Sequence, residues 1–361
     1  MKNILVVLLL FVVHISFAQK FYGLFETRKG TGIFEFTPSL NTLDTSKLMN
    51  NIVGTPDLYA QSMCHFDGHI YGRTLNTWDY KYATIYEYNL ANKEYEVLYT
   101  SQWSLNSYTK ILVSKTGVLY GIDYDTINGA FVLELNRETK NYKKYYADKN
   151  TNLIDAHHFV IAENNKMYFI TKASSTSGES INKLVEFDLE TKMFADKLVS
   201  TDLLDTKYGF NEMNNIGDGK LAATGKVLGS QLRAFVYDYV SNTITTYKNE
   251  NLINNYMTDR CSVVSDGNYL YMMTSSLKNK DYGYLLRIDM KTGQYDEVSS
   301  FNKIKAYCPI ACFISNDMIY GYDLLGNKII GYDLKSGHCK LVRLLIESDG
   351  INANSGFILV K

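Results

Sequence analysis

Apolar and polar residues alternate over short stretches along most of this chain. Ala83-Thr84-Ile85-Tyr86-Glu87-Tyr88-Asn89 and Glu94-Tyr95-Glu96-Val97-Leu98-Tyr99 are two of them. A period of two marks a half-buried strand, because successive side chains point to opposite faces of a sheet. Just upstream, residues 61–66 and 69–73 read as two more strands joined by the turn Asp67-Gly68, so four strands follow one another.

This four-strand unit recurs. A polar turn, apolar residues around a tyrosine and then a small residue appear as Lys20-Phe21-Tyr22-Gly23, His69-Ile70-Tyr71-Gly72, Val118-Leu119-Tyr120-Gly121 and Met318-Ile319-Tyr320-Gly321. Lys166-Met167-Tyr168-Phe169, Tyr269-Leu270-Tyr271-Met272 and the degenerate Lys220-Leu221-Ala222-Ala223 complete the set. The anchor positions 22, 71, 120, 168, 222, 271 and 320 lie 48, 49 or 54 residues apart. Thr116-Gly117, Asp218-Gly219 and Asp266-Gly267 repeat the first-hairpin turn, with residues that suit positive φ. A second hairpin reads Asp188-Leu189-Glu190-Thr191-Lys192, Asp289-Met290-Lys291-Thr292-Gly293 and Asp333-Leu334-Lys335-Ser336-Gly337, with Asn136-Arg137-Glu138-Thr139-Lys140 as a variant. There an Asp or Asn side chain bonds the backbone two residues on. One turn supplies too few oxygens for calcium.

Seven repeats of four short strands predict an all-β, seven-bladed β-propeller. The chain enters at a second strand, residues 21–25, and leaves on an apolar stretch, 355–360, that reads as the missing first strand. Pairing the two closes the ring and protects the sheet edges. A stacked solenoid, the competing repeat architecture, needs polar end caps that this apolar end does not provide.

The tyrosine-glycine phrase followed by a variable loop resembles the repeats of secreted bacterial propellers of the GloVer type. The Asp-x-x-Thr-Gly hairpin is similar to that of quinoprotein-like propellers. Both resemblances imply the propeller fold; their members include binding proteins and enzymes, so no activity is implied.

Composition agrees. The 361 residues include 30 Tyr and 17 Phe but only three Pro, a balance suited to pleated sheets. The formal net charge of −1 gives no electrostatic case for nucleic acid. Residues 1–18 read as a signal peptide: Lys2, the apolar run 4–13, then Ser16 and Ala18 before a cut at Gln19. A single propeller over 19–361 is then expected, outside the cytoplasm and without a membrane span. The five cysteines, an odd number, leave at least one thiol outside any intramolecular pairing, and no Cys/His spacing suggests a metal.

Propeller geometry places the connections between second and third strands, and between blades, on one face. Long loops on a rigid scaffold are where binding concentrates. The aromatic and polar residues in these connections are the expected binding set: Trp78, Tyr80, Trp103, Tyr108, His157, His158, Tyr208, Tyr256, Arg260 and Tyr307, with Tyr59, Asp79, Asp259 and Tyr282 beside them. Rings beside hydrogen-bonding groups suit sugar faces or partner proteins; the alternative for each is packing between blades. No phosphate loop, nucleophile elbow or zinc-protease motif occurs, and no catalytic residue or cofactor is assigned. The expected function is a binding module for a glycan or protein at the loop-rich face. The alternatives are a polysaccharide lyase or hydrolase acting at the central channel through His157 or His158, Arg260 and a tyrosine, and a structural or assembly role.

Overall fold

The computed structural model describes residues 19–27, 30–46, 49, 55–56, 63–75, 83–101, 110–148, 151–153, 156, 159–173, 181–200, 213–227, 231–248, 256–257, 262–276, 282–307, 309–323, 326–345 and 357–360. They form seven antiparallel sheets and one 3-10 turn, Asn302–Ile304. Blade 2 shows the plan: Met63–Phe66, His69–Leu75, Ala83–Asn89 and Glu94–Ser101 lie side by side in chain order. Blades 3 to 7 repeat it around the second strands Val118–Asp125, Lys166–Ala173, Lys220–Val227, Tyr269–Ser276 and Met318–Asp323. In blade 1, Lys20–Thr27 is flanked by Gly30–Thr37 and by Phe357–Val360, with Lys20 opposite Val360 and Gly23 opposite Phe357.

The core is a ring of seven hydrophobic clusters, each shared by two neighbouring blades. Tyr22 and Tyr86 belong to the cluster of blades 1 and 2, Tyr71 and Phe131 to blades 2 and 3, Tyr120 and Phe169 to blades 3 and 4. Tyr168 with Phe235, Val236 with Met272, and Met273 with Ile319 continue the circle, and Tyr322 with Phe21 joins blade 7 to blade 1. Burying each such side chain contributes about 1.5–3 kcal/mol.

The tyrosine-glycine phrase has a packing reason. Gly23 pairs across the strand with Phe34, and Gly72 with Tyr86; a Cβ on either glycine would run into the partner ring. The degenerate repeat keeps the rule, with Ala223 opposite Phe235. The other partners are aliphatic: Gly121 faces Leu133, Gly321 faces Ile330, Phe169 faces Val185 and Met272 faces Leu286, and at Gly321 a Cβ would meet Met273 of the preceding blade instead. The tyrosine faces the following blade, and three of the hydroxyls donate to a cross-strand glutamate: Tyr22 to Glu35 (2.6 Å), Tyr120 to Glu134 (2.9 Å) and Tyr168 to Glu186 (2.8 Å).

The turns behave as expected. Asp67-Gly68 and Asp218-Gly219 both take positive φ. Oδ1 of Asp188, Asp289 and Asp333 each accepts the amides two and three residues on at 2.8–3.0 Å, and Asn136 does the same at 2.9–3.0 Å. The left-handed residue that ends this turn is Lys in blades 2, 3 and 4. All three of these lysines reach back to the previous blade, Lys93 to Asp44 (2.6 Å), Lys140 to Glu96 and Lys192 to the Tyr120 hydroxyl (3.0 Å).

One feature is absent from the repeat pattern. In blades 2, 4 and 6 the innermost strand is in two pieces. Thr55–Pro56, Thr151–Asn152 and Tyr256–Met257 pair with the far end of the second strand, ahead of the pieces that begin at Met63, Phe159 and Val263. The same three blades have the long second-to-third connections, 76–82, 174–180 and 277–282, against 28–29, 126–128, 228–230 and 324–327 in the others. Within blades, the length of this connection therefore alternates.

Candidate functional site

The ends of the second and fourth strands define the loop-bearing face. Of the expected binding residues, Trp78, Tyr80, Trp103, Tyr108, His157, His158, Tyr208 and Arg260 lie outside the described residues, as do Tyr59, Asp79 and Asp259. Tyr256, expected in a loop, is instead in the two-residue outer piece of blade 6's first strand, opposite Ser276. Tyr307 lies where expected, in the connection from blade 6 to blade 7.

Tyr307 is brought together with Tyr282, which closes the long connection of blade 6. Their rings stack with centroids 5.6 Å apart and planes 23° from parallel. The backbone fixes this pair. Gly283 N donates to Ala306 O (2.8 Å) and Phe301 N to Gly283 O (2.9 Å), so the residues adjoining both tyrosines are tied together. The strap between them turns at Lys305, which has φ 50°. Phe301 and Ala306 are buried beneath it. Lys328 Nζ donates to the carbonyls of Ile304 (3.2 Å) and Lys305 (2.5 Å) and stands 5.6 Å from the Tyr307 ring centroid. Tyr307 N donates to Oδ1 of the fully buried Asp323 (3.1 Å). Both rings are half-buried, and among the described residues neither hydroxyl meets a hydrogen-bond partner. The result is a stacked aromatic pair tied by backbone bonds, with a lysine charge held at its edge.

A second polar centre lies under the same face between blades 2 and 3. Arg73 donates to Ile122 O (2.8 Å) and to Asp123 Oδ1 (3.0 Å), which also accepts the hydroxyl of Ser101 (3.1 Å) and Tyr124 N (2.9 Å). Arg73 and Asp123 are 3% and 5% exposed, so the charges are held inside protein. Arg73 stands opposite the gap in the first strand of blade 2, since Pro56 pairs with Thr74 and Met63 with Gly72. Sequence reading placed Arg73 at a strand end and missed this pair. The signal was its spacing from Asp123, one residue more than a 49-residue repeat.

Among the described residues no group of three or more His, Cys, Asp or Glu side chains is placed to hold a metal ion. Cys64, Cys312 and Cys339 are free thiols, and burial pushes the Cys64 thiol up to about 12. No described helix is long and apolar enough to cross a membrane.

No protein-family model matches the chain. No curated protein matches it either. Solved structures do. A putative 6-phosphogluconolactonase from Bacteroides fragilis aligns with a TM-score of 0.59 at 12% identity, over 97% of this chain and 100% of that one. Another from Bacteroides uniformis aligns with a TM-score of 0.57 at 12% identity, over 94% and 99%. The periplasmic gluconolactonase of Pseudomonas aeruginosa aligns with a TM-score of 0.61 at 11% identity, over 95% and 99%. Identity this low speaks for architecture alone, and with the seven shared clusters it establishes the chain as a seven-bladed β-propeller.

Proposed function

We propose that the protein is an exported binding module that receives a saccharide on its loop-bearing face, with Tyr282 and Tyr307 forming part of the platform. The observation that carries this reading is the stacked pair itself. Two rings are fixed by backbone bonds on the loop-bearing face, and among the described residues neither hydroxyl has a hydrogen-bond partner. Sugar rings present apolar C–H faces bordered by hydroxyls, and an amphipathic aromatic surface matches both. The proposed export rests on the sequence of residues 1–18 and agrees with a periplasmic fold neighbour.

The test is a glycan array probed with residues 19–361, followed by calorimetry of the strongest hit against the wild type, Tyr282→Ala and Tyr307→Ala. Binding that is unchanged in both variants overturns the platform. An empty array, with a protein captured instead through the same face, replaces the saccharide by a protein partner.

A second reading is hydrolysis of a sugar lactone or glycan at the channel mouth. The split first strands favour it, because the chain leaves and rejoins the innermost strand in blades 2, 4 and 6. His157, His158 and Arg260 belong to those intervening segments. The putative 6-phosphogluconolactonase and the gluconolactonase among the fold neighbours make 6-phosphogluconolactone and gluconolactone the first substrates to try. Turnover lost in Arg260→Ala supports this reading, and its absence on both lactones and on the array hits removes it.

A further inference from the structure

Three residues after the repeat tyrosine, the second strand carries a buried polar side chain in five of the seven blades. It is Thr74, Thr171 and Thr274 in blades 2, 4 and 6, and Asp123 and Asp323 in blades 3 and 7, none more than 5% exposed. Three blades show that a threonine satisfies the fold at this place. A buried carboxylate is the more costly choice, because its charge must be compensated inside protein. The two aspartates reach the chain arriving from the preceding blade. Asp123 Oδ1 accepts the hydroxyl of Ser101, the last residue of blade 2's fourth strand, at 3.1 Å. Asp323 Oδ1 accepts Tyr307 N, in the connection from blade 6, also at 3.1 Å. Two of the threonines bond within their own blade: Thr74 Oγ1 meets Thr84, and Thr274 Oγ1 meets Ser275 O.

We propose that Asp123 and Asp323 are positioning residues for the loop-bearing face, each fixing the blade-to-blade connection that enters its own blade. Asp323 holds the backbone of Tyr307 and therefore the ring stacked on Tyr282. Asp123, itself held by Arg73, fixes the point at which the chain leaves blade 2. Neither acts on a ligand directly. That the positioned surface takes a saccharide rests on the preceding reading, whereas the positioning does not.

The experiment is hydrogen exchange read by mass spectrometry, with binding measured alongside. Asp323→Thr installs the residue that blades 2, 4 and 6 already carry at this place. It is expected to melt cooperatively while the Tyr307 amide exchanges about tenfold faster, the size expected for one lost hydrogen bond. Asp323→Asn keeps the acceptor oxygen and is expected to restore wild-type protection. Ser101→Ala removes the other donor without burying a new group and is expected to speed exchange across 102–110. Maltohexaose and hexagalacturonate serve as neutral and acidic probes, and whichever the wild type binds is expected to bind the threonine variant about tenfold more weakly. Unchanged exchange in both Asp323→Thr and Ser101→Ala overturns the proposal, as does an asparagine variant that exchanges like the threonine one. If the wild type binds neither probe, the saccharide reading loses its support while exchange still decides the positioning.

Discussion

Gly72 and Tyr86 face one another across the second and third strands of blade 2, and the tyrosine ring fills the space that a side chain at 72 would need. Gly72→Ala is therefore expected to destabilise the protein by about 1–3 kcal/mol, the usual cost of overpacking a filled core. Adding Tyr86→Leu, which imitates the Met272–Leu286 pairing of blade 6, is expected to recover part of that loss. Urea unfolding of the two single variants and the double variant measures the coupling, and strict additivity of the two changes would sink this account.

Arg73 and Asp123 make the opposite case, in which loss is worse than replacement. Arg73→Ala strands a buried carboxylate and is expected to cost about 3–5 kcal/mol. Arg73→Met with Asp123→Thr removes both charges and is expected to lie within about 2 kcal/mol of the wild type. Chemical denaturation orders the variants. A single variant as stable as the double one contradicts the pairing.

Acid should weaken the fold through its turns. The amide of Thr191 holds Asp188 below the usual carboxylate range, and the amides of Ser241, Thr292 and Ser336 do the same for Asp238, Asp289 and Asp333. Burial pushes the Asp125 carboxyl up, but the Tyr146 hydroxyl, the amides of Asn128 and Ile127 and the Lys144 ammonium outweigh it and bring it to about 2. A carboxyl whose folded value is depressed stabilises the protein above its unfolded value of about 3.9 and loses that contribution as pH falls through the folded value. The melting temperature is expected to hold above about pH 5 and to fall between about pH 4 and 2. Asp125→Asn should show a shallower fall. A profile flat through that window would count against the turn carboxylates.

Tyr307→Ala and Tyr282→Ala should separate binding from folding. Both rings are half-buried, so the loss of stability is expected to stay near 1 kcal/mol. Loss of a central aromatic contact typically weakens binding by 2 kcal/mol or more, about thirtyfold. Thermal melts and calorimetry on the same preparations distinguish the two effects.

Cys64 should resist labelling. With its thiol raised to about 12 by burial, it carries almost no thiolate at pH 8. Burial also raises Cys339. Iodoacetamide followed by peptide mass analysis is expected to leave Cys64 unmodified in the folded protein and modified in urea. Rapid labelling of the half-buried Cys64 in the native state contradicts the raised thiol.

The architecture was legible because propeller strands and turns repeat their chemistry. Alternation alone predicts a strand over residues 83–89, and one forms with the same bounds. The Asp and Asn hairpins were recognisable because the side chain that makes the turn is the one that names it. The split first strands were not legible. Two-residue pieces such as Thr55–Pro56 are too short to show a period, and what makes them strands is pairing with residues 74 and 75. Tyr256 was misplaced for the same reason. Arg73 was hidden because a charge inside an apolar stretch reads as a strand end until its partner, Asp123, is known. Tyr282 and Tyr307 stand out in the sequence as loop aromatics, but their stacking depends on bonds between Gly283, Phe301 and Ala306 that no local pattern encodes.

Elaborated blades 2, 4 and 6 alternate with plainer ones, and an alternation of that kind cannot close on an odd number. Blades 7 and 1 are therefore neighbours of the same kind, joined through Tyr322 and Phe21. That single mismatch removes any rotational equivalence from the loop-bearing face. A molecule resting there would meet one distinguishable direction around the axis, so the ring offers a single binding orientation instead of seven.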